Sequence, residues 1–238
     1  MTVEERGVRF HNALFRVVDS RARSREPLVV LKDPTDFCRL ILLRHPELAQ
    51  EYQNRAVGSG DAVLSRRGRA MALRWCDLLQ HTKVVLTFAA DMRQCKEPAQ
   101  LLADTLDTDL SVDARLNDQQ MGEWQGRTWD EVVKDTPDKV RDFFSEFGDI
   151  APPQGESLGD AIERVLAWWK EQAPQGLGNA IAVVLPGAIL AGLATALLGM
   201  RLSRSTSLAL PHGGLGILDV YANGAKLSAW NVDALSAE

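Results

Sequence analysis

The chain has 238 residues, of which 45% are apolar and 25% are charged, and these proportions exclude a disordered chain, a collagen-like repeat and a small disulfide scaffold. With 27 Lys and Arg against 32 Asp and Glu, the net charge is −5, so no overall positive field exists to hold DNA or RNA. The 3 cysteines lack a Cys-x-x-Cys spacing and the N-terminus lacks an apolar leader, so we expect free thiols and a cytoplasmic protein.

The first 36 residues differ in pattern from the rest of the chain. A helical pattern over Val3–Val18 is followed by the basic stretch SRARSRE, which predicts an N-terminal extension, 1–36, ahead of a single domain over 37–238. The simplest interpretation is a helix packed on the domain and then a solvated linker. The alternative is an arm that contacts a protein partner or a second copy of the chain.

Strand-forming and helix-forming patterns alternate after the extension, which is typical of an α/β fold with βαβ units around a mainly parallel sheet. In the first half, apolar runs predict strands at Cys38–Leu43, Lys83–Phe88 and Leu110–Leu116. Amphipathic stretches predict a helix capped by Ser65 and a second helix over Met92–Leu106, which Pro98 should kink or delay.

In the second half, helical patterns cover Trp129–Phe147 and the residues after Ser157, and two final strands are predicted around Gly216–Tyr221 and Lys226–Asn231. Between them lies an uncharged run, 180–200, about as long as the ~20 residues of a membrane span. A Pro-Gly pair divides this run into a strand, AIAVVL, and a helix, ILAGLATALLGM. Each piece is too short to cross a bilayer and suits a buried sheet, so we expect no membrane span.

The first strand runs directly into Arg44 and His45, at the carboxyl end where open α/β sheets place their ligand sites. Here the sequence LILLRHPE resembles the opening of the histidine phosphatase (phosphoglycerate mutase-like) superfamily, whose strand-end Arg-His-Gly contains the nucleophilic histidine. Pro46 stands in place of the glycine.

The resemblance continues in order along the chain. LSRRGRAMA is similar to the family's Leu-Thr-x-x-Gly-x-x-Gln-Ala helix start, and TFAADMRQCKEPA is similar to its strand-to-helix turn. LNDQQMGEWQGRTWDEV resembles its Leu-x-Glu-x-x-x-Gly-x-Trp-Glu-Gly loop, so Trp124 and Trp129 are expected to wall the pocket. QGESLGDAIERV, AIAVVLPGAILAGLATALLG and AWNVDAL resemble its later segments. The resemblance implies a three-layer α/β/α fold.

The resemblance also implies a chemistry. A histidine nitrogen attacks phosphorus, arginines and a second histidine hold the phosphoryl oxygens, and a carboxylic acid protonates the leaving oxygen. Carried over to this chain, His45 is the nucleophile, Arg44 a phosphate clamp and Asp118 the general acid, in place of the family's Glu. No cofactor or metal is implied, and the sequence has no convincing metal-ligand cluster.

Two positions depart from the family pattern. The second arginine falls on Gln94, and its neighbour Arg93 replaces it only if the helix start slips by one residue. The second histidine falls on Pro186, which has no side-chain donor. Removing one preorganised donor costs about 3–4 kcal/mol of transition-state stabilisation. His212, in LPHGG, and Arg55 are candidates to supply the missing positive charge.

These departures favour a divergent histidine-phosphatase-fold protein that binds a small phosphorylated or anionic metabolite. Its phosphomonoesterase activity is expected to be weakened or lost, leaving a binding or regulatory role or a different reaction in the same pocket. One alternative is an active, metal-independent phosphomonoesterase that acts through a phosphohistidine at His45 with Asp118 as general acid. A second alternative is an interaction protein that uses its N-terminal arm.

Overall fold

A six-stranded sheet forms the centre of the computed structural model, which describes residues 37–145 and 148–232. Its strands are β1 Phe37–Arg44, β2 Val84–Ala90, β3 Leu110–Asp113, β4 Ala180–Leu185, β5 Leu215–Tyr221 and β6 Gly224–Val232. They lie in the order β3-β2-β4-β1-β5-β6. The first four strands are parallel, β5 is antiparallel to β1, and β6 is antiparallel to β5. This arrangement confirms the mainly parallel sheet. The predicted extension, 1–36, lies outside the described residues.

Helices cover both faces of this sheet. They are α1 Arg66–Leu79, α2 Arg93–Leu106, α3 Trp129–Asp135, α4 Pro137–Ser145, α5 Leu158–Gln172 and α6 Gly187–Leu197. The chain passes from β1 through α1 to β2 and from β2 through α2 to β3, moving toward the β3 edge of the sheet. It then returns from β3 through α5 to β4, in the opposite direction. Right-handed crossovers therefore place α1 and α2 on one face and α5 on the other. Since α1 packs against α2 and α5 against α6, the three-layer α/β/α fold is confirmed.

The uncharged run forms the buried centre of this fold. Every residue of β4 is buried, and Pro186 ends the strand and precedes the first turn of α6. The proposed division of the run into a strand and a helix is confirmed. No described helix combines the length and the apolar character that crossing a membrane requires.

Serine residues begin two of the helices, as expected from their side chains. The Ser65 hydroxyl accepts a hydrogen bond from the Gly68 N–H at 2.8 Å and thus caps α1. Ser157 and Asp160 form a reciprocal capping box at the start of α5. These bonds satisfy N–H groups that helix geometry leaves without intrahelical partners.

Three predicted elements differ from the structure. β3 ends at Asp113, whose carboxylate accepts a hydrogen bond from the Arg115 N–H and turns the chain into a 3-10 helix. The helical stretch after Trp129 is two helices, because Pro137 disfavours helical backbone at the residue before it. Pro98 lies inside α2, which begins at Arg93 without the predicted delay.

A buried tryptophan connects α1 to the loop that precedes β5. The Trp75 indole is fully buried, and its Nε1 donates to the Gly213 carbonyl at 2.7 Å. Gly213 has a φ of +75°, a conformation that favours glycine, and it follows His212 directly. The backbone of Gly213 also donates to the Arg44 carbonyl. The loop is therefore fixed both by α1 and by the end of β1.

We expect Trp75→Phe to destabilise the fold by about 1–3 kcal/mol more than Trp169→Phe, as measured by chemical denaturation. Both indoles are fully buried, but Trp169 Nε1 has no hydrogen-bond partner among residues 37–145 and 148–232. The difference between the variants thus isolates the hydrogen bond to the Gly213 carbonyl. Equal losses would show that this bond does not hold the loop.

Candidate active site

The candidate site lies at the carboxyl end of β1. Because β1 is parallel to β4 and antiparallel to β5, its carboxyl end meets the carboxyl end of β4 on one side and the start of β5 on the other. A cavity of about 540 Å³ opens there. Its lining includes a group that we call the polar cluster: Arg44, His45, Asp118 and His212. The structure therefore brings together these residues, which are widely separated in the sequence.

His45 is held in one tautomer by the backbone. Its Nδ1 lies 2.9 Å from the Pro46 carbonyl oxygen, which can only accept a hydrogen bond, so the proton is on Nδ1. In the neutral ring this leaves the lone pair on Nε2. Burial lowers the pKa of His45 to about 3, with a further lowering from His212, so the imidazole is neutral near pH 7. A neutral, oriented imidazole is the form that a nucleophile needs.

Arg44 contacts the loop before β5 through both ends of its guanidinium. Nη1 donates to the Leu210 carbonyl, and Nη2 lies 3.3 Å from His212 Nε2. Gly187 at the start of α6 lies against the same group, since a Cβ there would approach Arg44 Nε to 2.8 Å. Burial lowers the pKa of Arg44, and the charge of Asp118 opposes this effect. Only glycine lets the α6 backbone come this close to the guanidinium.

His212 lies directly beside the expected nucleophile. Its ring centroid is 4.9 Å from that of His45. Because arginine only donates, the contact with Arg44 makes His212 Nε2 an acceptor, and Nδ1 then faces the His45 carbonyl oxygen at 3.4 Å. Burial and then the Arg44 charge lower the pKa of His212 to about 4. Both ring nitrogens of His212 thus face protein groups beside the cavity, and near pH 7 its imidazole is neutral.

Asp118 supplies the carboxyl group of the polar cluster. Its Oδ1 accepts a hydrogen bond from the Gln119 N–H at 2.9 Å, and its carbonyl accepts one from Arg164 on α5 at 3.1 Å. Burial raises the pKa of Asp118 from 3.8 to about 6, although the Gln119 N–H and the Arg44 charge oppose the rise. Such a carboxyl holds a proton over a range in which an exposed aspartate is ionised.

The remaining predicted phosphate ligands fall in different places. Arg55 lines the cavity, with Nε and Nη1 donating to the carbonyls of Glu51 and Gly126. Gln94 is buried outside the cavity lining, and its amide binds the Gly60 carbonyl and the Ala62 N–H. Arg93 is exposed and pairs with Glu97. The structure thus brings Arg55 to the cavity and leaves Arg93 and Gln94 outside it.

Sequence reasoning missed part of the cavity lining. Trp129 lines the cavity as expected, whereas Trp124 is buried behind it with ring centroids 6.3 Å apart. Further aromatic residues that no motif indicated also line it: Tyr52, Phe143 and Phe144. They belong to a short 3-10 helix and to the end of α4, whose positions depend on tertiary packing.

Among residues 37–145 and 148–232, no group of three or more His, Cys, Asp or Glu side chains is placed to hold a metal ion. The polar cluster contains imidazole, guanidinium and a single carboxyl group instead. Guanidinium and helix N-terminal N–H groups favour an anion. The first turn of α6 contributes Gly187 and Ala188 to the same lining.

The chain belongs to the histidine phosphatase superfamily, branch 1, whose family model matches residues 40–233. A glucosyl-3-phosphoglycerate phosphatase from Mycolicibacterium vanbaalenii is 30% identical over 185 residues, which are 75% of this chain and 80% of the relative. Phosphoglycerate mutase-like protein 4 from Arabidopsis thaliana is 25% identical over 164 residues, covering 68% and 71% of the two chains.

Solved structures agree with this assignment. A mycobacterial glucosyl-3-phosphoglycerate phosphatase in complex with inorganic phosphate has a TM-score of 0.71 at 25% identity, over 83% of this chain and 98% of the other. The alpha-ribazole phosphatase from Shigella flexneri has a TM-score of 0.74 at 21% identity, over 84% and 99%. At 21% identity, the similarity to the alpha-ribazole phosphatase supports only the shared fold.

We expect Asp118→Asn to stabilise the fold by about 3 kcal/mol at pH 7.5, because the raised pKa makes ionisation costly only in the folded state. In the wild type, protonated Asp118 stabilises the folded state relative to ionised Asp118. This contribution to the free energy of unfolding is lost as the pH rises from about 4 through 6. The advantage of the variant should therefore disappear below about pH 4. Chemical denaturation at both pH values measures this, with the exposed Asp77→Asn as control. An equal effect at both pH values would contradict the raised pKa.

Proposed function

We propose that the chain is a phosphoric monoester hydrolase that uses His45 as nucleophile, with a weaker hold on the phosphoryl group than the family pattern implies. The observation that carries this proposal is the meeting of Arg44, His45, Asp118 and His212 in one cavity. Supporting it, the chain belongs to a phosphatase superfamily, and one relative at 30% identity is a glucosyl-3-phosphoglycerate phosphatase.

The phosphoryl group is held by Arg44, by the N–H groups at the start of α6, and by His212. Arg44 contributes a permanent charge beside the neutral imidazole of His45. His212 lies next to β1 on the β5 side, whereas the position expected for the second histidine, Pro186, follows β4 on the other side. A bound dianion would raise the pKa of His212. Protonation of Nε2 would break its contact with Arg44 and let Nε2 donate to a phosphoryl oxygen.

In the first chemical step, the Nε2 lone pair of His45 attacks phosphorus. An N–P bond forms, and the bond between phosphorus and the ester oxygen breaks. Asp118 gives its proton to the departing oxygen, so the leaving group departs as a neutral alcohol. The pKa of about 6 keeps a fraction of this carboxyl protonated near neutral pH.

In the second step, water attacks the phosphohistidine. The Asp118 carboxylate accepts a proton from this water, the N–P bond breaks, and His45 recovers its lone pair. Phosphate leaves, and the site returns to its starting protonation state. Each proton and electron pair is thus accounted for by His45, Asp118, water and the ester.

A second candidate function is an anion-binding module without turnover. It is favoured by the position of Gln94, whose amide is occupied by Gly60 and Ala62 and adds no charge to the cavity. The low pKa of His212 also favours it, since the positive charge of the free site's described lining then comes from Arg44 and Arg55. Turnover distinguishes this candidate from the hydrolase.

The test is an assay of the purified protein against a panel of phosphate monoesters, with His45→Ala and the control His81→Ala, an exposed residue. We expect turnover that falls at least about 10³-fold in His45→Ala and stays unchanged in His81→Ala. Activity that survives in His45→Ala would contradict the proposed nucleophile. Without turnover of any ester, stabilisation by phosphate would favour the binding module.

A further inference from the structure

Much of the cavity beyond the polar cluster is lined by aromatic rings. We call this group the aromatic wall: Tyr52, Trp129, Phe143 and Phe144. A phosphoryl group bound at the polar cluster occupies only part of a cavity of about 540 Å³. The aromatic wall therefore lines space that is available to the leaving group of an ester.

Three rings of the aromatic wall pack in sequence: Trp129, Phe144 and Phe143. Phe144 lies 5.6 Å from Trp129 and 5.1 Å from Phe143 between ring centroids. Behind them Trp124, which is only 1% exposed, contacts Phe143 at 5.4 Å. A capping box at Thr128 fixes the start of α3, where Trp129 lies. The wall is thus built from packed helices and is ready for a ligand before binding.

Phe144 keeps much of its surface in water despite these contacts. It is 53% exposed, although it lies at the end of α4 next to the buried Phe143. An exposed phenyl group beside a cavity offers apolar surface that a ligand can cover. This is the surface that a second ring would stack upon.

The charged groups of the lining outside the polar cluster already have protein partners. Arg55 donates to the Glu51 and Gly126 carbonyls. Glu47 accepts a hydrogen bond from Ser65 and lies 3.6 Å from Arg67. Arg55 keeps its positive charge, since carbonyls do not neutralise it, but an uncharged leaving group leaves both sets of bonds intact.

The side-chain amides of the lining are also engaged. Gln53 donates to the Leu48 carbonyl, and Gln119 donates to the Glu156 carbonyl. Asn54 contacts a carboxylate on α3 at 3.4 Å. A sugar with many hydroxyl groups needs several such amides, whereas an aromatic ring needs only ring faces.

We propose, on the basis of the proposed hydrolase function, that the substrate is an aromatic phosphomonoester. Its leaving group carries an uncharged aromatic ring that stacks on Trp129 and Phe144 while the phosphoryl group meets Arg44, His45 and His212. The aromatic wall then determines which alcohol leaves, and the polar cluster performs the hydrolysis.

The test compares benzyl phosphate with cyclohexylmethyl phosphate and glycerol phosphate. The first two leaving groups are similar in size and differ in aromatic character, and glycerol is polar. We expect the highest kcat/KM for benzyl phosphate, and a loss of roughly tenfold in Phe144→Ala, the size of one ring-stacking contact. The loss should be smaller for glycerol phosphate, whose polar leaving group has no ring to stack. Val133→Ala is the matched control, since Val133 is 47% exposed on α3 outside the cavity lining.

Binding measurements distinguish an error in the proposed aromatic subsite from an error in the proposed hydrolase activity. Calorimetry with benzylphosphonate and methylphosphonate, which cannot be hydrolysed as esters, should give tighter binding of the benzyl compound in the wild type, reduced in Phe144→Ala. This result without turnover would overturn the hydrolase and support the aromatic subsite. Equal affinities, or sugar phosphates turned over faster than benzyl phosphate, would overturn the aromatic subsite even if esters are hydrolysed.

Discussion

The contact between Arg44 and the loop before β5 joins the elements on which the site depends. The guanidinium bonds to the Leu210 carbonyl and to His212, while the Arg44 backbone N–H donates to the Gly214 carbonyl at 3.0 Å. These bonds lie at the end of β1 and hold the loop before β5 against it. The two histidines, His45 and His212, therefore lie side by side. Gly187 allows α6 to approach the same guanidinium. Together with the Trp75 hydrogen bond to the Gly213 carbonyl, this contact holds the loop with His212 beside His45.

Burial shifts the pKa values of this site and at the same time lowers the free energy of unfolding. It lowers the pKa of His45 to about 3 and raises that of Asp118 to about 6, which gives one neutral base and one carboxyl that can hold a proton. The free energy of folding is less favourable above pH 6 because Asp118 must ionise where it is partly shielded from water. A site with these pKa values is suited to proton transfer, and functional sites commonly have such shifts.

The sequence predicted most of the fold and part of the site. Strand β1 and the cap at Ser65 follow from local patterns, and the ordered motifs placed Arg44, His45 and Asp118. The bonds of Gln94 to the 60–62 backbone could not be predicted, because they depend on how a loop folds over α2. Tyr52, Phe143 and Phe144 of the aromatic wall were missed for a similar reason, since the 3-10 helix and α4 reach the cavity only through tertiary packing. Hydrophobic periodicity alone does not show which face of so short a helix lines a cavity.

We propose that His212, on the β5 side of β1, holds the phosphoryl group instead of the histidine that the family pattern expects after β4. A crystal structure with bound orthovanadate, which mimics the phosphoryl group in transfer, tests this most directly. We expect vanadium next to His45 Nε2, with vanadate oxygens in hydrogen-bond contact with Arg44 and His212. Vanadate bound beside Arg93 and Gln94, or bound at His45 with His212 turned away, would contradict it.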